Sequence, residues 1–179
     1  MSDERLQAGR HHLHNGRRAL DLGYVEEARA HVEAARLQFR GPELRLGEGH
    51  ALRGLAQVCA ADGQVDRADV LAHRAVAEYR DLIADLERVD DADAVRDIRI
   101  EASEGAAATW VLLSELRLRE GRASAADEAL RAAQAYLEDL PDRATAGAVY
   151  TARGRTACRR GDDQQALAWF DKALEVHRK

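Results

Sequence analysis

An all-α protein made of helical hairpins is what this sequence predicts, and three observations lead there. The 179 residues hold two prolines and 4% aromatics, with Ala, Leu, Glu and Arg abundant; such a chain favours helix and supplies little from which to build strands. Apolar residues recur at alternating spacings of four and three, the mark of one buried helix face. A pattern also returns four times: a Gly, an Ala five residues on, an apolar or small residue four further, and an Ala three beyond that. It reads Gly23-Ala28-Val32-Ala35, Gly63-Ala68-Ala72-Ala75, Gly121-Ala126-Leu130-Ala133 and Gly161-Ala166-Phe170-Ala173.

Each Gly is preceded, seven residues earlier, by a small residue: Gly16, Ala56, Ser114 and Gly154. The spacing predicts that the Gly closes one helix in a tight turn, while the small residue lets the backbones of two helices approach. The first two helices are then expected near 3–21 and 25–39, on either side of Gly23, and the third and fourth near 44–61 and 65–88, around Gly63. Gly-to-Gly spacings of 40, 58 and 40 leave 18 extra residues in the middle. They are not aperiodic. Ala68, Ala72, Ala75, Tyr79, Leu82 and Leu86 keep the helical stripe, as do Val95, Ile98, Ala102, Ala106, Thr109, Leu113 and Leu116, so the fourth helix and a fifth near 91–119 are expected to run long. Shared equally, the surplus makes a hairpin protruding by about 13 Å. Asp90 or Asp91 can cap the fifth helix, with Asp93 in its first turn facing the positive end of the helix dipole. The last three helices are expected near 123–139, 142–160 and 164–178.

The repeated units resemble the tetratricopeptide repeat. Trp110-x2-Leu113-Ser114 is similar to the opening of that family's signature, Tyr150 with Gly154 matches it more loosely, and Ala166-x3-Phe170 with Ala173 matches its second half. Ala72 replaces the bulky residue in the second unit, Arg117 stands where the family has Tyr, and Pro42 and Pro141 are the only terminal prolines. The second unit also looks like the roughly 40-residue variant found in bacterial regulator arrays. The resemblance implies a right-handed α-solenoid of four hairpins with an elongated middle one. It implies a single domain over 1–179, with repeats at about 9–42, 49–88, 91–140 and 142–179.

Several function classes are excluded or disfavoured. No run of 18 apolar residues exists and the start MSDERLQ is acidic rather than apolar, so neither a membrane span nor a signal peptide is expected and the cytoplasm is the expected compartment. Cys59 and Cys158 lack C-x-x-C partners and are expected to be small packed side chains. There is no phosphate loop, no G-x-S-x-G elbow and no H-E-x-x-H; an enzyme is not expected, nor a cofactor. His11 and His14 share a helical face and His31 or His50 could approach, but without a carboxylate or Cys at matching spacing they are expected to be surface or packing residues and not metal ligands. A net charge of −5 argues against nucleic acid as the partner. Only Lys172 and Lys179 are lysine among 27 basic residues, a skew of the kind expected from a GC-rich bacterial genome.

Binding remains. In tetratricopeptide arrays the first helix of each unit lines a concave groove, and the resemblance places there Arg10, Leu13, His14, Arg17 and Asp21, then His50, Arg53 and Gln57. The third and fourth units would add Val111, Leu112, Glu115 and Arg119, and Thr151, Arg155 and Arg159. Six arginines against Asp21 and Glu115 make this strip +4 and leave −9 for the rest of the chain, a segregation that attracts acidic ligands. The family's Lys and Asn carboxylate clamp is not reproduced: Leu13, Arg17, Gly54, Ala108 and Leu112 stand at its places. The expected function is that of a non-catalytic adaptor for an acidic or amphipathic peptide segment of another protein. The competing classes are a sensor of nucleic acid or a phosphorylated ligand and a self-assembling structural module. On the last helix Ala166, Phe170 and Ala173 point to a partner helix, with Trp169 and Val176 on one margin and Leu167 and Leu174 on the other. These margins are expected to make a homodimer.

Overall fold

The computed structural model describes residues 2–41, 44–137 and 143–178. Among these residues there are eight helices and no strand: α1 (Ser2–Asp21), α2 (Val25–Gln38), α3 (Arg45–Ala61), α4 (Val65–Leu86), α5 (Ala92–Arg119), α6 (Ala123–Ala135), α7 (Arg143–Arg160) and α8 (Asp163–Arg178). The protein is all-α, and the bounds fall close to those read from the sequence. The extension of helix six to 139, the start of helix seven at 142, Pro42 and Pro141 lie wholly or partly outside the described residues. No helix among the described residues is long and apolar enough to cross a membrane.

One turn is used four times. After α1, Gly23 adopts φ 81°, its N–H donates to Leu20 O (3.0 Å), and the next N–H, of Tyr24, reaches back to Ala19 O (2.8 Å). This pair of bonds satisfies carbonyls that the helix end would leave orphaned. Tyr24 at once begins α2, its carbonyl accepting from Ala28 N–H at 2.9 Å. Gly63, Gly121 and Gly161 repeat the turn at φ 76°, 74° and 75°, with Gln64 N–H on Cys59 O, Arg122 N–H on Arg117 O and Asp162 N–H on Ala157 O. Only glycine holds such a φ without strain. The long middle helices start as expected too: Asp91 Oδ1 accepts from Ala94 N–H at 3.1 Å, capping α5 at its third residue.

Described residues group into two compact units, Met1–Ala102 and Ser103–Lys179, the division falling within α5. In the first, α1 packs on α2, α3 on α4, α2 on α3 and α1 on α3. Its centre is Phe39, 1% exposed, whose ring lies where a Cβ on Gly9 of α1 or on Gly47 of α3 would be. Val32, Ala35, Leu44, Ala51 and Leu55 complete this cluster, with Leu6, Leu13 and Leu71 packed against it. A second cluster joins Ala19, Ala28 and Val58 beneath the first turn. The expected close approach is present: a Cβ on Gly16 would stand 2.7 Å from Val32 Cγ2. The tip between α4 and α5 is exposed, including Val89 (43%) and Ile98 (41%).

In the second unit α7 packs on α8 and α6 on α7. Leu113, Leu116, Leu130 and Val149 are its largest buried apolar side chains. Three hydroxyls are buried with them, and each donates to a carbonyl of its own helix: Thr109 to Gly105 O, Ser114 to Val111 O and Thr156 to Ala152 O. A buried polar group so paired is tolerated in a helix interior. Gly154 repeats the role of Gly16, since a Cβ there would lie 2.5 Å from the Phe170 ring. Cys59 is buried as expected, but Cys158 is exposed; α7 turns the neighbouring Thr156 and Ala157 inward instead.

Candidate functional site

In the first unit, the groove residues expected from the sequence fall into three groups. Arg10, His14, Arg17 and Asp21 are exposed on α1, and Gln57 is exposed on α3. Leu13 is partly buried and packs against the Phe39 cluster, because the helix turn that exposes Arg10 and His14 directs it toward that cluster. His50 and Arg53 of α3 are half-buried, and His50 with Arg10 meets Glu101.

Glu101 was not among the expected site residues. Its Oε1 lies 3.1 Å from His50 Nε2 and its Oε2 3.9 Å from Arg10 Nη2. The hydrogen bond from His50 holds its carboxyl below the usual range against the opposing effect of burial, and the charges of His50, Arg10 and Arg53 add to this. On the other side of the imidazole, the Tyr79 hydroxyl lies 2.7 Å from Nδ1. An ionised carboxylate only accepts, so the network places a proton on His50 Nε2, with the Tyr79 hydroxyl paired to Nδ1. Tyr79 is fully buried and burial pushes its phenol up from the ordinary tyrosine value, Glu101 adding to the rise and Arg53 opposing it. The Tyr79-His50-Glu101 chain ties α3, α4 and α5 together. What it leaves facing outward is a set of basic groups already coordinating one carboxylate.

The second unit holds the remainder. Arg155 Nη1 donates to Glu115 Oε1 at 3.1 Å, while Arg119, Thr151 and Arg159 are exposed. Val111 is half-buried and Leu112 is buried, so Leu112 is a core residue and not a lining one. Glu115 was already in the count of basic and acidic residues; Glu101 adds one negative charge on the α1 and α3 face of the first unit.

On α8 the two expected margins differ. Leu167 and Leu174 are 64% and 49% exposed. Trp169 is half-buried: its ring stacks on Tyr150 of α7 (5.7 Å between centroids, 19° between planes), and Arg153 and Lys172 each lie 4.4 Å from its centre. Burial pulls the Arg153 guanidinium below its usual value, with Arg131 adding to this and Asp127 and Tyr150 opposing it. Val176 is half-buried beside it in sequence register. The aromatic margin is therefore largely spoken for within the unit.

The histidine cluster resolves differently from its spacing. His11 pairs with Asn15 at 3.0 Å, and it is His12 that meets His31 across α1 and α2, with Nδ1 atoms 3.3 Å apart. Among the described residues, no group of three or more His, Cys, Asp or Glu comes together.

A recess lies elsewhere in the first unit, where α2 and α4 each pack on α3 and leave a trough of about 1030 Å³ between them. Its floor includes Phe39, Leu55 and Cys59, and its walls carry Leu37 of α2 and Val70 of α4, which are 56% and 59% exposed. Two sequence signals could have revealed it: Leu37 and Val70 are apolar residues off the buried stripe of their helices, and arginines flank both. Compared with known proteins, the chain matches no protein-family model and no curated protein.

Proposed function

We propose that this chain is a non-catalytic binding module of the tetratricopeptide kind, its hairpins arranged as a right-handed solenoid, that holds an acidic or amphipathic segment of another protein. The recurrence of one glycine turn at φ 74–81° supports the repeat reading. The observation that carries the function is the meeting of Arg10 and His50 on a single carboxylate, Glu101, at 3.9 and 3.1 Å. That face is chemically suited to carboxylates, and Arg17 and His14 extend it along α1, exposed and with no carboxylate partner among the described residues. Charge-assisted bonds from guanidinium to carboxylate are the stronger class of hydrogen bond and favour acidic ligands.

The test is selection from a displayed library of 15-residue peptides. Acidic sequences should be enriched, bind more weakly as salt rises, and fail to bind the double variant Arg17→Glu, Arg53→Glu while its melting temperature stays within a few degrees of the parent. Enrichment of basic or neutral sequences, or undiminished binding to the double variant, overturns the assignment. A second reading, homodimerisation through α8, is favoured by the exposure of Leu167 and Leu174 seven residues apart. Light scattering from micromolar to hundreds of micromolar protein should show a concentration-dependent dimer that Leu167→Glu with Leu174→Glu abolishes; a monomer throughout refutes it.

A further inference from the structure

The trough between α2 and α4 has the attributes of a binding surface in its own right. Its lining contains six arginines and three glutamates, a surplus of three positive charges. The two kinds of arginine can be separated. Arg36 is paired with Glu48 at 2.8 Å, Arg45 with Glu78 at 3.6 Å and Asp85 at 2.6 Å, and Arg29 with Asp62 at 2.9 Å. Arg40, Arg67 and Arg74 are exposed and have no carboxylate partner among the described residues. The cations without a carboxylate partner are thus three exposed side chains of the lining, Arg67 also meeting Gln64 Oε1 at 3.3 Å, and they outnumber the exposed Glu33 beside them.

The apolar part lies between these cations. Leu37 and Val70 stand exposed on opposite walls above a floor that includes Leu55 and Phe39. Two large aliphatic side chains flanking one recess mark an interaction surface rather than scattered surface hydrophobes. Apart from Phe39, Arg40 and Gly41 after α2, the lining belongs to helices whose backbone groups bond within themselves, so it offers an extended strand no sheet edge and presents mainly side chains. A ligand entering it must satisfy its own backbone, which a helix does.

We propose that this trough docks an amphipathic helix whose apolar stripe lies on Leu37 and Val70 and whose flanks carry Asp or Glu opposite Arg40, Arg67 and Arg74. The lining of α2 runs from Arg29 to Leu37, about 12 Å at the helical rise, so two to three turns of ligand fill it. The proposal rests on the reading of the chain as a binding module, but uses none of the residues of the α1 and α3 face.

The experiment is a displayed library of 16-residue helices with Leu fixed at i, i+4, i+7 and i+11 and the flanking positions randomised, selected on the full chain. Enriched helices should carry acidic flanks. Their affinity should fall about tenfold or more with Leu37→Glu plus Val70→Glu, and likewise with Arg67→Glu plus Arg74→Glu, and change less than about twofold with Arg17→Glu plus Arg53→Glu. All these side chains project from helices, and circular dichroism melting checks that each variant folds; Leu37→Ala with Val70→Ala serves if the charged pair does not. Loss confined to the Arg17 and Arg53 variant overturns the trough and leaves the binding module standing. Enrichment of basic or uncharged flanks overturns the trough proposal. Failure to enrich any helix overturns it too, and failure of the 15-residue peptides as well brings down the module reading with it.

Discussion

Phe39 occupies a slot that exists because Gly9 and Gly47 lack a Cβ. Gly47→Ala would push a methyl group into a ring that is 1% exposed and should destabilise the protein by about 1–3 kcal/mol, the range for overpacking a closed core. Adding Phe39→Leu to Gly47→Ala should cost less than the sum of the two changes measured singly by urea unfolding, since they share one space. The Tyr79-His50-Glu101 chain yields a second residue-scale prediction. A carboxyl whose folded pKa is depressed contributes stability that is complete above its unfolded pKa and lost as pH falls through the folded one. Stability should therefore decline below the ordinary glutamate range, and Glu101→Gln should remove part of that decline. For Tyr79 the sign is opposite: its raised pKa stabilises the fold below the ordinary tyrosine value, and this contribution is lost as alkali rises beyond it. Urea midpoints measured from acid to alkali for the parent, Glu101→Gln and Tyr79→Phe would show both slopes or refute them.

The helical hairpin is the element this chain repeats, and its turn has one determinant. At Gly23, Gly63, Gly121 and Gly161 a Cβ would meet nothing within 4 Å, yet φ is 74–81° at all four. Replacement by Ala thus introduces backbone strain without steric conflict. The four single variants should each lose about 1–2 kcal/mol and resemble one another. A turn at which Ala is neutral would mean that its geometry is not held by those two back-bonds. The contrast with Gly16 and Gly154 is instructive: their φ is helical, and Ala there meets Val32 and Phe170 side chains, so losses should follow the packing of each partner instead of being uniform.

Across the molecule, the long middle helices lead to an exposed tip. Residues 87–91 are exposed, as are Val89 and Ile98 among the apolar ones, while Glu101 and Ala102 already take part in the first unit's interior. Shortening α4 and α5 by one turn each between Leu82 and Ile98 should leave helicity per residue and the melting temperature nearly unchanged, because the ion pairs lost, Asp85 with Arg45 and Arg88, are partly or largely exposed and worth little. Cooperative loss of structure on trimming would show that the tip supports the core. The two compact units each have a core of their own, one around Phe39 and Tyr79 and the other around Leu113, Leu116 and Leu130.

By itself the sequence determined the helices and their turns, because those are local: glycine at a positive φ, Asp91 at the start of α5, and small residues at a fixed distance from each turn act over a few residues or one hairpin. Arg10, His14 and Arg17 lie on α1 and His50 and Arg53 on α3. Only the tertiary structure decided what each face meets. Periodicity says which residues share a side of one helix, but the rotation of that helix against its neighbours depends on how distant side chains interlock, as Phe39 does between α1 and α3. That rotation brought Glu101 to His50, 51 residues away, turned Leu13 toward the Phe39 cluster and Leu112 into the core, left Cys158 outside, and opened the trough between α2 and α4. These outcomes depend on contacts between residues far apart in the chain, and a pattern confined to one helix carries no information about them.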